Sequence, residues 1–179
     1  SGAFTCEFKY DGERCQTHFD KSCASRPFSL YSRNSESYTT KFPDVIQGMP
    51  KAFENNDKEG RTEVTSFIMD GEVVAVDTET GRLRPFQVLQ HRGKKNVKIE
   101  DISCHVRYFA FDLLMLNGQS LLHLPLRRRR EILRTTFIEC PMLGYAKNLD
   151  SSDVEDIQTF LETSVTEGCE GLMVKTLDE

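Results

Sequence analysis

Strand-like runs dominate the first half of this chain, and two longer helices are inserted between its later strands. Because the two kinds of segment do not alternate regularly, the pattern predicts an α+β fold with mostly antiparallel sheet, not a doubly wound parallel one. The strand candidates are residues 3–9, 14–19, 28–32, both halves of 64–76 around Asp70-Gly71, 83–86, 106–116, 143–147 and 171–175. Pro43 opens a short helix near 44–49, 87–90 form a helical turn, and Pro125 begins a helix reaching about Phe137. Ser152-x-x-Glu155 reads as a capping box before an amphipathic helix carrying Val154, Ile157, Phe160, Leu161 and Val165. Asn117-Gly118 is the clearest turn after the longest strand.

A chain of 179 residues is one large domain, or a domain and part of another. Its apolar fraction of 38% supports a core, and no run reaches the roughly 20 apolar residues of a membrane helix. There is no basic-then-apolar leader, and Ser1-Gly2 reads as an expression scar. Six cysteines without C-x-x-C spacing read as reduced intracellular thiols, and the four histidines are isolated. A net charge of −5 argues against a domain that grips nucleic acid by bulk electrostatics. Two basic clusters stand out locally. The loop with Arg92, Lys94, Lys95 and Lys98 reads equally as solvated or as touching the phosphates of a ligand. The arginines at 127–130 are spread around a helix and read as solvated.

The most informative stretch is Glu7-Phe8-Lys9-Tyr10-Asp11-Gly12-Glu13-Arg14. By itself it is best read as a β-hairpin, with Lys9 and Arg14 as solvated flanks of an Asp-Gly turn. The sharper reading is a lysine held still and partly dried among phosphate-binding groups, where a neutral amine is a nucleophile. Gly12 would let backbone approach a ligand, and Arg14 would fork onto phosphate or ribose oxygens. Four further stretches bear on the choice: Tyr31-Ser32-Arg33-Asn34-Ser35-Glu36, Met69-Asp70-Gly71-Glu72, Tyr108-Phe109-Ala110-Phe111-Asp112 and Glu170-Gly171-Leu172-Met173-Val174-Lys175. Taken singly, Arg33 is a solvated loop residue, Glu72 a turn residue, Phe111 core, Glu170 loop charge and Lys175 a strand end. Their joint occurrence in this order is what carries weight.

In this order the five stretches resemble the nucleotidyltransferase motifs of ATP-dependent DNA ligases, in wording closest to the eukaryotic DNA ligase I type. The likeness runs from about Thr5 to Asp178 and includes Lys41-Phe42-Pro43-Asp44-Val45-Ile46 and Arg84-Pro85-Phe86-Gln87-Val88-Leu89. It implies a nucleotidyltransferase (ATP-grasp-like) fold, with residues 1–179 a partial adenylation domain. The family's last motif, its oligonucleotide-binding domain and its amino-terminal DNA-binding domain are expected elsewhere. It implies that Lys9 attacks the α-phosphate of ATP to form lysyl-AMP. Glu7 would lie beside adenine, Arg14 would bind ribose and later the 5′-phosphate, and Arg33 would contact phosphate. Glu72 would hold ribose or a metal-bound water, Phe111 would stack on adenine, Glu170 would sit at a Mg2+ site, and Lys175 would approach the α-phosphate. Nicked double-stranded DNA is the implied partner, with sliding-clamp-type partners through regions outside this chain, nuclear residence and no membrane. The isolated fragment is expected to seal nicks poorly or not at all. The alternatives are an mRNA capping guanylyltransferase or RNA ligase relative, and a non-catalytic scaffold of this fold.

Overall fold

The computed structural model describes residues 2–179. Strands β1 (Phe4–Phe8), β2 (Glu13–Asp20), β3 (Phe28–Ser32), β4 (Ser66–Ala75), β5 (Val106–Leu116), β6 (Gln119–Ser120), β7 (Leu143–Tyr145), β8 (Asn148–Leu149) and β9 (Leu172–Thr176) form two sheets. The larger runs β3-β2-β4-β5-β6, with β7 also on β5; the smaller runs β8-β1-β9. Every pairing is antiparallel except β5 with β7. Helices α1 (Pro43–Gly48), α2 (Phe86–Gln90), α3 (Leu126–Thr136) and α4 (Val154–Thr166) complete the α+β architecture expected from the strand-rich pattern.

Alternation along the strands divides the larger sheet into two faces. Cys15 and Thr17 of β2, Phe67, Met69, Val73 and Ala75 of β4, and Tyr108, Ala110 and Leu113 of β5 are buried, and all but Thr17 belong to the main apolar core with Phe42, Met49 and Phe137. The intervening residues, Arg14 and Gln16, Asp70 and Glu72, and Phe111, line cavities on the opposite face. A second cluster of Phe8, Tyr10, Val74, Phe109, Ala146 and Cys169 joins the two sheets. Its central contact is the stacked Tyr10–Phe109 pair, with ring centres 4.3 Å apart.

Several local expectations need correction. Asp11-Gly12 does not close a hairpin: β1 pairs with β8 and β9, whereas β2 pairs with β3 and β4. Gly12 is required because the chain passes close to another strand; a Cβ there would lie 2.1 Å from the Val73 carbonyl oxygen. Asp70-Gly71 does not separate two strands but lies inside β4, where a register shift between them bends the ladder. Gly71 is packed under the Tyr108 ring, 2.3 Å from where a Cβ would stand. Residues 83–86 form no strand; Leu83 makes a single bridge to Val76, and Phe86 opens α2. The cap of α4 is Asp153, which accepts from the Glu155 and Asp156 amides, and not Ser152.

The arginine-rich α3 is not simply solvated. Arg130 is buried and pairs with Asp150, and Arg129 grips Asp112 through two bonds of 2.8 and 2.9 Å. Arg127 and Arg128 pair with Asp178 and Glu131. In the basic loop, Arg92 is buried against Asp44, while Lys94, Lys95 and Lys98 are exposed.

Candidate active site

A cavity of about 880 Å³ opens between the two sheets, lined by residues from β1, β2, β4, β5 and β9. It gathers every residue singled out above: Glu7, Lys9, Arg14, Arg33, Glu72, Phe111, Glu170 and Lys175. These side chains come from positions up to 168 residues apart, so only the packing of one sheet on the other brings them together.

Lys9 follows β1, and its backbone is fixed on both sides. Its amide donates to the Gly171 carbonyl at 2.8 Å, and its carbonyl accepts from the Glu170 amide at 2.8 Å. Gly171 takes a φ of +111°, which suits glycine alone. This ladder sets Glu170 beside the nucleophile candidate, with the Lys9 ammonium 3.7 Å from Oε2. The Lys9 side chain is 52% exposed, so the protein fixes its base but does not by itself dry its tip.

Across the cavity, Arg14 of β2 stands opposite Glu72 of β4 in register. Its guanidinium donates to Asp70 at 3.0 Å and lies 5.8 Å from the centre of the Phe111 ring. Asp70 is nearly enclosed and also accepts from Gln16 at 3.4 Å. Glu72 is the most perturbed acid here. Burial pushes its pKa up to about 7, the Arg14 charge opposes the rise, and Glu170 and Glu13 repel it further upward. Arg33 leaves β3 on a tight turn in which the Ser32 hydroxyl accepts from the Asn34 and Glu36 amides, at 3.2 and 3.0 Å. Among the described residues Arg33 has no ion-pair partner.

Lys175 lines the same cavity. On β9 its Cα is opposite Thr5, four residues before Lys9 on β1, which is about 13 Å along a strand. Its ammonium donates to the buried Glu7 carboxylate at 2.7 Å and sits 4.4 Å from the Phe111 ring centre. It therefore ties β9 to the aromatic wall of the cavity.

Three contributors were not legible beforehand. Asp70 carries no site role in the sequence pattern, where Asp70-Gly71 reads as a break between two strand halves; the unbroken β4 puts it on one face with Glu72. Met173, paired in register with Glu7 across the small sheet, also lines the cavity. Lys41 is almost buried and donates to both oxygens of Glu13 at 2.9 Å, which anchors the start of β2. No sequence signal pointed to this pair.

Fold and site together define a nucleotide-sized cleft built around a lysine, with cations, several acids and an aromatic ring converging on it. The chain belongs to the ATP dependent DNA ligase domain family, whose model it matches over residues 1–179. It is 47% identical over 176 residues to DNA ligase 1 of Arabidopsis thaliana, covering 98% of this chain and 21% of that protein. It is 48% identical over 177 residues to DNA ligase 1 of Dictyostelium discoideum, covering 98% of this chain and 14% of that one. The chain thus spans about a fifth or less of the length of these two relatives. A solved structure described as mycobacterial DNA ligase D complexed with ATP and MES has the same fold, with a TM-score of 0.68 and 24% identity over 99% of this chain and 49% of that chain. The expected ligase adenylation-domain membership holds, and the capping-enzyme and RNA-ligase readings are not favoured.

Proposed function

We propose that this domain carries out the nucleotidyl-transfer half of an ATP-dependent DNA ligase, with Lys9 as the group that takes AMP. The observation that carries this reading is the placement of Lys9. Its side chain reaches into the same cavity as the Phe111 ring, and its backbone is clamped beside Glu170.

In the proposed first step the Lys9 Nζ lone pair attacks the α-phosphorus of ATP. An N–P bond forms, the bond to the bridging oxygen breaks, and pyrophosphate leaves. Nζ must first lose a proton, and Glu170 Oε2 is the carboxylate facing it at 3.7 Å. Arg14 and Arg33 would spread the phosphate charge, which is the main task in phosphoryl-type transfer. Phe111 would stack on the base, with Glu7 and Lys175 at its edge. This differs from the α-phosphate role implied for Lys175 by resemblance. In the following steps AMP passes from Lys9 to the 5′-phosphate of a nick, and the 3′-hydroxyl then displaces AMP.

Glu72 and Glu170 suit Mg2+. Each is a hard oxygen donor, and their mutual repulsion favours a cation between them. No group of three or more metal-binding side chains forms among the described residues. Mg2+ held there would complete its shell with substrate phosphates and water. Bound there, it would supply charge neutralisation at the phosphates.

Nicked duplex DNA is the proposed substrate of the whole protein. An oligonucleotide-binding domain, an amino-terminal DNA-binding domain and any sliding-clamp contact would lie in other parts of it. Nuclear residence is supported by the kind of relatives the chain matches. The deciding experiment is mass spectrometry of the full-length protein after ATP and Mg2+. A gain of one AMP mapped to Lys9 and absent in Lys9→Ala is expected; the same gain in the variant would remove the reading. α-Labelled ATP against GTP separates it from the guanylyl-transferring alternative.

A further inference from the structure

Side chains alternate in and out along β5 until the strand reaches the cavity. Tyr108, Ala110 and Leu113 are buried, yet Phe111 and Asp112, neighbours in sequence, both line the cavity. The ladder to β4 shows how. Ala110 pairs with Gly71 and Asp112 with Asp70, so Phe111 is one extra residue between two successive partners. An extra residue in one strand is a bulge, which breaks the alternation and re-aims a side chain. Here it lets a ring and a carboxylate face the same space.

This placement has an electrostatic cost. Asp70 and Asp112 are Cα partners and both line the cavity, and like charges directly opposite destabilise a sheet. Each carboxylate has its own guanidinium. Arg14 donates to Asp70 at 3.0 Å, and Arg129 donates to the two Asp112 oxygens at 2.8 and 2.9 Å. Arg129 also donates to the Leu124 carbonyl at 2.6 Å, and Asp112 accepts from the Leu113 amide at 2.9 Å. The bulge is thereby tied through one forked contact to the start of α3. Both side chains of that contact are only 16% exposed, and a forked pair fixes direction as well as distance.

We propose that Asp112 and Arg129 are positioning residues for the nucleotide base. Their pair holds the bulge that turns Phe111 into the cavity, and so sets the face against which the base stacks. Without Arg129, Asp112 would repel Asp70 and compete for Arg14, and the segment carrying Phe111 would shift to relieve it. Because they act through Phe111, neither residue needs to touch ATP. The inference rests on the stacking role proposed for Phe111 above.

The test is a double-mutant cycle in the full-length protein, read by initial rates of lysyl-AMP formation. Arg129→Met should raise KM for ATP roughly ten-fold, as for a lost base–ring stack, with kcat changed less than about two-fold. Phe111→Ala should do the same. In the Phe111→Ala background Arg129→Met should add less than about two-fold, because the ring it positions is gone. Arg129→Lys keeps the charge but loses the fork, and should recover part of the affinity. If Arg129→Met does not fold, Asp112→Asn, which keeps the shape and one acceptor oxygen, completes the same cycle. An unchanged KM in the single variant, effects that multiply in the double variant, or a fall in kcat at constant KM overturns the proposal. A wild-type protein that forms no lysyl-AMP would overturn the ligase reading itself, and this one with it.

Discussion

The Lys175 ammonium bonds Glu7 at 2.7 Å and lies 4.4 Å from the centre of the Phe111 ring. One cation thus ties the buried carboxylate of β1 to the aromatic wall of β5. Lys175→Met should raise KM for ATP in lysyl-AMP formation roughly ten-fold while changing kcat little, since a hydrogen bond to a charged group is worth about 1.5–3 kcal/mol. It should also lower Tm, because Glu7 would be left buried without its partner. Initial-rate kinetics would show this split. A fall in kcat at constant KM would return Lys175 to the α-phosphate.

Glu72 gives a pH signature. Its pKa is raised to about 7, chiefly by burial. The folded state therefore holds a proton that the unfolded state has released, between the ordinary carboxylate value near 4.5 and about 7. Stability from this group is greatest below that window and is lost as pH rises through it, with a slope of at most about 1.4 kcal/mol per pH unit. Glu72→Gln should flatten this part of the stability profile, read by urea denaturation from pH 5 to pH 8. In the wild type, the Mg2+ concentration for half-maximal lysyl-AMP formation should rise as pH falls below about 7, because the protonated carboxyl is a poor ligand.

Gly12→Ala tests the close approach of the Lys9 segment to β4. The added Cβ would stand 2.1 Å from the Val73 carbonyl oxygen, and backbone cannot swing aside as a side chain can. Destabilisation of roughly 1–3 kcal/mol is expected. Lysyl-AMP formation should fall as well, because Lys9 and Arg14 flank the displaced turn. A variant with wild-type Tm and adduct yield would show that the turn yields freely.

Arg92→Met tests the anchor of the basic loop. Arg92 is buried and holds both Asp44 oxygens, at 2.6 and 2.8 Å. Losing one partner of a buried pair costs roughly 3–5 kcal/mol. Replacing both, as Arg92→Met with Asp44→Leu, should recover part of that loss. Equilibrium denaturation of the single and double variants measures both.

The strands over 28–32 and 106–116, the Asn117-Gly118 turn and the helix after Pro125 could be read from local periodicity, because each depends on near neighbours. So could the types of residue at the site, since Lys9, Glu72, Phe111 and Glu170 stand in recognisable local wording. What local pattern misjudged was pairing. Asp11-Gly12 has the wording of a hairpin turn, yet the strands beside it go to different sheets. Arg129 and Arg130 have the wording of a solvated helix, yet their partners Asp112 and Asp150 lie 17 and 20 residues away in sequence.

The order of side chains along the chain thus determined which elements form and which chemistry they can bring. Tertiary structure decided which charges are neutralised and which remain free for a ligand. Glu7 and Lys175 illustrate why: they are separated by 168 residues and meet only because β1 and β9 are neighbours in one sheet. A carboxylate or an ammonium is satisfied by whatever stands within a few ångströms, and that distance is set by packing and not by sequence neighbourhood.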